Sequence, residues 1–409
     1  MKAFFHNIVM ACNIRNLIAP VAVLVFLSTF SSLARASEAV VTDVRVGEHA
    51  GATRLVFDFD REVKFNIFAL SNPHRVVIDL PEVGWRLPTK PLPVNIGVLV
   101  KLRYGLFKPG VSRVVLDVNS APSVLRSFLL DSNGTGSYRL VVDLGTVNAG
   151  TVVKDQVQQE KVAFTPPPKK PKMVPEIPGK RVVVIDPGHG GVDPGTISAN
   201  GYYEKHITLA MARELKLQLE RTGRFKVKLT RSRDIFIKLR DRVEFAREAG
   251  ADLFLSIHAD AIKNRKTRGL SVYTLSEKAS DREAEALAEQ ENKADMIAGV
   301  HVTENTPEIT GILIDLTRRE TMNQSARFAT DMVNHLRRET RVLRNTHRFA
   351  GFAVLKAPDV PSILIELGFL SNKADEKELM SKAYRAKLAS GMVRAITGYF
   401  SDIEEAFRK

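Results

Sequence analysis

The chain has 409 residues, of which 44% are hydrophobic and 26% charged, which excludes a disordered or collagenous polymer and leaves room for two or three domains. Its formal net charge of +14 at pH 7 points to an anionic partner surface. A single cysteine, Cys12, excludes a disulfide framework.

Taken in order, the chain opens with Lys2 and Arg15 ahead of an apolar stretch over 17–30, followed by Ala34-Arg35-Ala36, a small-x-small cleavage site. This predicts a secretory signal peptide over 1–36, with Ser37 as the mature start. The basic region lacks an Arg-Arg pair, favouring general secretion over the twin-arginine route. The apolar core is short for a bilayer span, so an uncleaved anchor is disfavoured. Cleavage removes Lys2, Arg15 and Arg35, leaving +11 of the +14, and also removes Cys12, so no thiol nucleophile remains. For an exported chain the anionic partner is cell wall or lipid headgroups rather than nucleic acid. No later apolar run is long enough for a transmembrane segment after signal cleavage.

Residues 37–147 read as an all-β domain, with short alternating runs, frequent turn signals and no convincing helix. A weak internal repeat runs through it: the segments starting at Thr53 and Ser112 resemble each other, as do Arg75-Val-Val-Ile-Asp-Leu80 and Arg139-Leu-Val-Val-Asp-Leu144. Two such units predict a β-sandwich. Arg54, Arg75, Arg113 and Arg139 form either a binding face or a solvated one. Residues 148–180 carry Pro166-Pro-Pro-Lys-Lys-Pro171, Pro175 and Pro178 and predict an extended, semi-rigid linker.

From 181 to 409 strands and helices alternate, predicting an α/β domain. The β-branched run 182–185 reads as a strand buried on both faces, ended by Asp186-Pro187-Gly188. Helices are expected at 205–222, 239–249, 279–299, 318–340 and 375–400, and further strands at 225–229, 252–257, 269–275 and 361–369.

Four residues stand out. His189 lies just past the carboxyl end of a buried strand, where open α/β sheets place their ligands, although a lone His there also suits a simple turn. His258 repeats the arrangement and is otherwise a satisfied core histidine. Glu204 precedes a helix that it would favour electrostatically. Glu366 interrupts an apolar strand, where an ionised carboxylate is costly unless paired or metal-bound. Two His at strand ends plus a Glu is a ligand set for catalytic zinc, but the ligands are far apart and no HExxH helix exists. His206, beside Glu204, reads as a helix-start residue; His301 and His347 have no supporting cluster.

The blocks Ile185-Asp-Pro-Gly-His-Gly-Gly191, Glu204-Lys205, Ser256-Ile-His-Ala-Asp260 and Ile365-Glu-Leu-Gly-Phe369 together resemble the zinc-dependent N-acetylmuramoyl-L-alanine amidases. They occur in that family's order across 180–400. The N-terminal repeat is similar, more loosely, to the AMIN domain, a non-catalytic β-sandwich of exported cell-wall hydrolases, a combination found in the cell-separation branch. The resemblance implies that His189, Glu204 and His258 hold Zn2+ and that Glu366 is the catalytic glutamate. It also implies a peptidoglycan substrate, cut at the amide between N-acetylmuramic acid and L-alanine, in the periplasm at the division septum. A zinc peptidase or deacetylase of the same wall is the alternative enzyme, and a catalytically silent wall-binding protein the alternative class.

The charged segment 279–299 places Ala284, Leu287, Ala288 and Glu291 at helical spacings. By itself this is a solvated acidic helix. The same resemblance implies an inhibitory helix that sets a glutamate on the zinc, with Glu291 the candidate plug, Glu289 or Glu285 the fallbacks, and a LytM-domain protein as activator.

Overall fold

The computed structural model describes residues 38–88, 92–131, 137–146, 179–300 and 312–408. The expected signal peptide with Cys12, most of the expected linker and His301 lie outside the described residues. Among the described residues, no helix is long and apolar enough to cross a membrane.

Strands β1 (Val40–His49), β2 (Ala52–Phe59), β3 (Asn66–Leu70), β4 (Arg75–Pro81), β5 (Gly84–Trp85), β6 (Leu99–Lys108), β7 (Val111–Val118), β8 (Pro122–Leu130) and β9 (Tyr138–Thr146) form two sheets, ordered β5-β1-β2-β9-β8 and β3-β4-β7-β6. Alternation decides the faces: Leu55, Phe57 and Phe59 of β2 meet Val76, Ile78 and Leu80 of β4 and their counterparts on β7 and β9 in one core between the sheets. The internal repeat is visible in the pairing. Strand β2 of the first copy pairs antiparallel with β9 of the second, and β4 with β7, so the copies exchange strands. Equivalent cross-strand ion pairs result, with Arg54 opposite Asp143 and Arg113 opposite Asp79.

The C-terminal region is α/β, as expected. Its sheet is ordered β11 (Phe225–Leu229), β10 (Arg181–Pro187), β12 (Leu253–His258), β15 (Ser362–Glu366), β13 (Leu270–Leu275), β14 (Val342–Ala350). The first four strands are parallel, and β13 runs antiparallel to β15. Helices α1 (Glu204–Arg221), α5 (Ile312–Leu336) and α7 (Lys382–Arg408) cover one face, where Val183, Ile185, Leu255, Ile257 and Ile363 are buried against Met211, Phe328 and Met392. The intervening residues Val184, Phe254 and Leu364 point the other way, towards α2 (Leu239–Glu248), α3 (Arg282–Glu291) and the 3-10 turn Ala353–Leu355. Strands covered on both faces read as continuous apolar runs for this reason.

Several boundaries differ from expectation. Strand β10 continues through Pro187, because its ladder with β11 ends at Ile185 and only β12 remains as partner. The single helix expected at 279–299 is broken into α3 and α4 (Ala294–Ile297); at the break Asn292 donates to Gly351 O and accepts from Ala353 N. The last helix is likewise divided, into α6 (Lys373–Met380) and α7, with Ser381 in extended backbone between them. Strand β14 was not expected: its sequence is polar, as suits a sheet edge.

Candidate functional site

Parallel strands β10, β12 and β15 end at one edge of the sheet, and each delivers one side chain there. His189 follows β10, His258 ends β12, and Glu366 ends β15 as the direct register partner of His258. Glu204, the first residue of α1, closes the group. Its Oε1 lies 3.1 Å from His189 Nε2 and 3.3 Å from His258 Nδ1. The fifth residue comes from α3: Glu291 Oε2 is 3.2 Å from His258 Nδ1 and 3.5 Å from His189 Nε2. All five are buried.

Local chemistry explains why each is held. His189 sits in the left-handed region at φ 61°, with its carbonyl accepting from Arg242 Nη2 at 3.0 Å. Its Nδ1 donates to Asp193 Oδ2 at 2.8 Å, the only polarity available when the partner is an ionised carboxylate, which leaves Nε2 free to ligate. Glu204 accepts from Thr196 N at 2.9 Å and Ala259 N at 2.8 Å, so its carboxylate is aimed into the group rather than spent on the helix terminus. Glu366 Oε2 accepts from Asp260 N at 3.0 Å. Gly188 and Gly195 make the crowding possible: a Cβ on Gly188 would fall 2.4 Å from the His258 ring, and one on Gly195 2.6 Å from the His189 ring. These glycines make room for the site's own side chains.

Beneath the loop, Asp186 is fully buried and accepts from Thr230 Oγ1 (2.6 Å), Ser256 Oγ (2.8 Å) and Arg242 Nη1 (2.9 Å). Burial works against its charge, yet Arg242 and the two hydroxyls hold it below the usual carboxylate range. Arg231 donates to the carbonyls of Pro187, Gly188 and Lys205; burial and the neighbouring Arg242 pull its guanidinium down to about 10.

Within this group, four buried atoms have no hydrogen-bond partner: His189 Nε2, His258 Nδ1, Glu291 Oε1 and Glu366 Oε1. Buried polar atoms are nearly always satisfied, so four orphans clustered together are what a cation-binding donor set looks like. The ligand atoms of His189, His258 and Glu291 lie within 4.8 Å of one another, beside a cavity of about 10 Å³, the scale of one water or ion. Charge says the same. Burial pushes Glu366 well above its usual range, and Glu204, Asp260 and Glu291 add to this; burial also raises Glu291 to about 7 against the opposing pull of the two histidines. His189 moves up despite burial, because Glu204, Asp193 and Glu291 surround it. A divalent cation would offset this crowding of carboxylates. The donor set fits a metal.

The structure thus brings His189, Glu204, His258, Glu366 and Glu291 together. The fallbacks Glu289 and Glu285 are exposed. His206 faces outward, 3.5 Å from Asp234, and His347 bonds Thr274 Oγ1 at 3.0 Å. Asp193, Arg231 and Arg242 were missed: an arginine on a loop (Arg231) or a helix (Arg242) reads as solvated until burial shows otherwise. Asp260 lay inside a quoted motif but had no role; it accepts from Thr196 Oγ1 (2.5 Å) and from Gln290 Nε2 (2.8 Å) of α3.

The family model described as N-acetylmuramoyl-L-alanine amidase matches residues 183–398, and that of the AMIN domain matches 43–144. The chain is 34% identical over 397 residues to the N-acetylmuramoyl-L-alanine amidase AmiC of Escherichia coli O6:H1, covering 92% of this chain and 93% of that relative. It is 34% identical over 406 residues to AmiC of Neisseria meningitidis serogroup B, covering 91% and 95%. AmiA of Escherichia coli K12 is 43% identical over 224 residues, 54% of this chain and 77% of that one. Among solved structures, AmiC2 of Nostoc punctiforme shares 27% identity at a TM-score of 0.40, over 55% of this chain and 98% of that one. With the amidase match spanning all five clustered residues and AmiC aligned along nearly its full length, the chain belongs to the N-acetylmuramoyl-L-alanine amidase family and carries an AMIN domain ahead of its α/β domain.

Proposed function

We propose that the protein is an exported peptidoglycan hydrolase that cleaves the amide between the lactyl group of N-acetylmuramic acid and L-alanine of the stem peptide. The observation that carries this reading is the convergence of His189 Nε2, Glu204 Oε1 and His258 Nδ1, with Glu366 on the adjoining strand end. His189, Glu204 and His258 hold zinc. When bound, zinc supplies Lewis acidity to the scissile carbonyl and acidifies water towards a pKa of about 7. Glu366, with Oε2 fixed by Asp260 N and Oε1 free, accepts the proton of the attacking water and passes it to the departing alanine nitrogen. Asp193 keeps the His189 ring in the ligating tautomer.

Glu291 reaches the two histidines from α3, so its carboxylate would compete with water for a metal held there. We read α3 and α4 as an inhibitory plug that excludes both water and substrate until a partner, of the LytM-domain type, displaces it. The proposed organisation is a signal peptide over 1–36, an AMIN sandwich over 37–147, a linker over 148–180 and the amidase over 181–409. Action is in the periplasm, at septal wall, during daughter-cell separation.

The test is mass spectrometry of sacculi digested with the mature protein, with zinc or chelator, and with residues 279–299 present or deleted. Free stem peptides beginning at L-alanine, lost in chelator and in a Glu366→Ala variant that retains its zinc, are the expected products. Peptides left on the glycan by zinc-loaded, helix-deleted protein would refute the reading.

A further inference from the structure

The described residues from 38 to 408 pack as one unit, and the contact between its two parts bears on the plug. On β4 and β7, Val76, Ile78, Val114 and Leu116 point into the sandwich core, so the alternate residues Val77 and Val115 point outward. Both are nonetheless completely buried. Gly299, just past α4, covers them: a Cβ there would stand 3.0 Å from Val77 Cγ2 and 3.3 Å from Val115 Cγ2. On the same face Arg113 Nη1 donates to Ala298 O (3.3 Å) and Gly299 O (3.1 Å), and Arg75 donates to Met296 O. These carbonyls lie at the end of α4 and just beyond it; Met296 O also accepts from Gly299 N at 3.0 Å, while helix termini in general leave carbonyls for side chains to bond. Asp79 holds the other side of the Arg113 guanidinium at 2.6 and 2.8 Å, fixing its direction.

The sheet also rests on the loop that carries His189. Phe236 N donates to Leu106 O at 3.0 Å, and Gly105 and Gly191 meet so closely that a Cβ on Gly191 would fall 1.9 Å from Leu106 O. Phe107 stacks on Phe236, Arg113 lies 3.6 Å over the Phe107 ring, and at the rim Arg233 pairs with Glu82 at 2.9 Å.

We propose that the outer face of the β3-β4-β7-β6 sheet is a latch that holds the inhibitory segment closed in cis. The plug is tied at both ends. Upstream, Asp281 caps α3 and pairs with Arg348 of β14. Downstream, the chain at 296–299 is held by Arg75 and Arg113. A segment fixed at both ends cannot swing Glu291 away from the histidines until one end lets go; downstream, Leu239 N also donates to Asp295 Oδ1 at 2.9 Å, and the AMIN arginines add the hold on 296–299 that release must break. The repeat supports a dedicated role: the equivalent pair on the other sheet, Arg54 with Asp143, bonds within the AMIN domain. The sandwich thus presents two related faces, and this one carries the plug. The inference rests on the reading of Glu291 as plug.

The test uses the zinc-loaded mature chain, reading hydrogen exchange of the 284–300 amides alongside basal release of stem peptides from sacculi. The variants are Arg75→Ala with Arg113→Ala, Glu291→Ala, and the combination; Arg54→Ala controls for loss of an ion pair from the sandwich. Arg233→Glu, which sets like charges against Glu82 at an exposed rim, serves should the arginine variant misfold. Loosened-interface variants should speed exchange at least about tenfold, the factor carried by one lost charged hydrogen bond. They should raise basal release and add to the gain of Glu291→Ala up to but not beyond the rate of protein lacking residues 279–299, while Arg54→Ala matches wild type. If Glu291→Ala raises release but the interface variants leave exchange and release unchanged, the latch is wrong and the plug stands. Should Glu291→Ala itself change nothing, plug and latch both fall. A gain from the interface variants that persists in protein lacking residues 279–299, where no plug remains, would place their action elsewhere than on the plug and overturn the latch.

Discussion

Glu291→Ala isolates the plug's grip from the chemistry. The Glu291 carboxylate lies 3.2 and 3.5 Å from His258 Nδ1 and His189 Nε2. On the proposed reading it would contact the metal held between them, and losing that contact should cost at least as much as a charge-assisted hydrogen bond, about 1.5–3 kcal/mol, which converts to roughly ten- to a hundredfold in the population with the site uncovered. The rest of the plug stays in place. Gln290 still donates to Asp260 at 2.8 Å, Asn292 keeps both bonds to the turn after β14, and Ala284, Leu287 and Ala288 remain packed with Phe352 and Val354. Basal hydrolysis should therefore rise by that factor yet stay below the rate of the helix-deleted enzyme, whose own rate the substitution cannot touch. The assay is initial dye release from labelled sacculi at saturating zinc. A basal rate within about twofold of wild type, with zinc content and melting temperature unchanged, would refute the reasoning.

Gly188→Ala puts a methyl 2.4 Å from the His258 ring and should weaken zinc binding at least about tenfold by competition titration, with a stability loss of about 1–3 kcal/mol. Arg242→Met strands the buried Asp186 and the carbonyls of Pro187 and His189; urea unfolding should show a loss of about 3–5 kcal/mol, and a loss under about 1 kcal/mol would contradict the role given to this pair. In chelator, Glu291 has a folded pKa of about 7 against an ordinary 4.5, chiefly through burial. The folded state therefore favours the protonated acid, a stabilisation present below pH 4.5 and lost as pH rises through 7. Glu291→Gln, neutral throughout, should gain on wild type in melting temperature across that window; a constant gap would disprove the shift.

Local signals in the chain were enough for much of this protein. Strands β10, β12 and β15 are covered on both faces, so burial wrote them as β-branched and apolar runs, and the polar residues that end or interrupt them, His189, His258 and Glu366, stood out by contrast. Repeat and alternation likewise foretold the sandwich. Edge strand β14 escaped because one polar side leaves no such run, and the break at Asn292 escaped because its cause is a pair of bonds to Gly351 and Ala353 in the turn after β14.

What the sequence could determine alone was which residues were out of place in their segments, since the cost of a buried charge is a local matter. Their convergence was a tertiary decision: it follows from setting β10, β12 and β15 side by side and parallel, which no spacing between 189, 204, 258 and 366 encodes. The same holds for Glu291 over Glu285 and Glu289, which are equally acidic and equally helical until packing buries one face of α3. It holds most clearly for the AMIN arginines. Sequence offered a binding face or a solvated one, while folding buries Arg75 and Arg113 against the chain's own residues 296–299, pairs Arg54 with Asp143 and leaves Arg139 exposed. A cation's role depends on what stands opposite it, and only the assembled surfaces supply that.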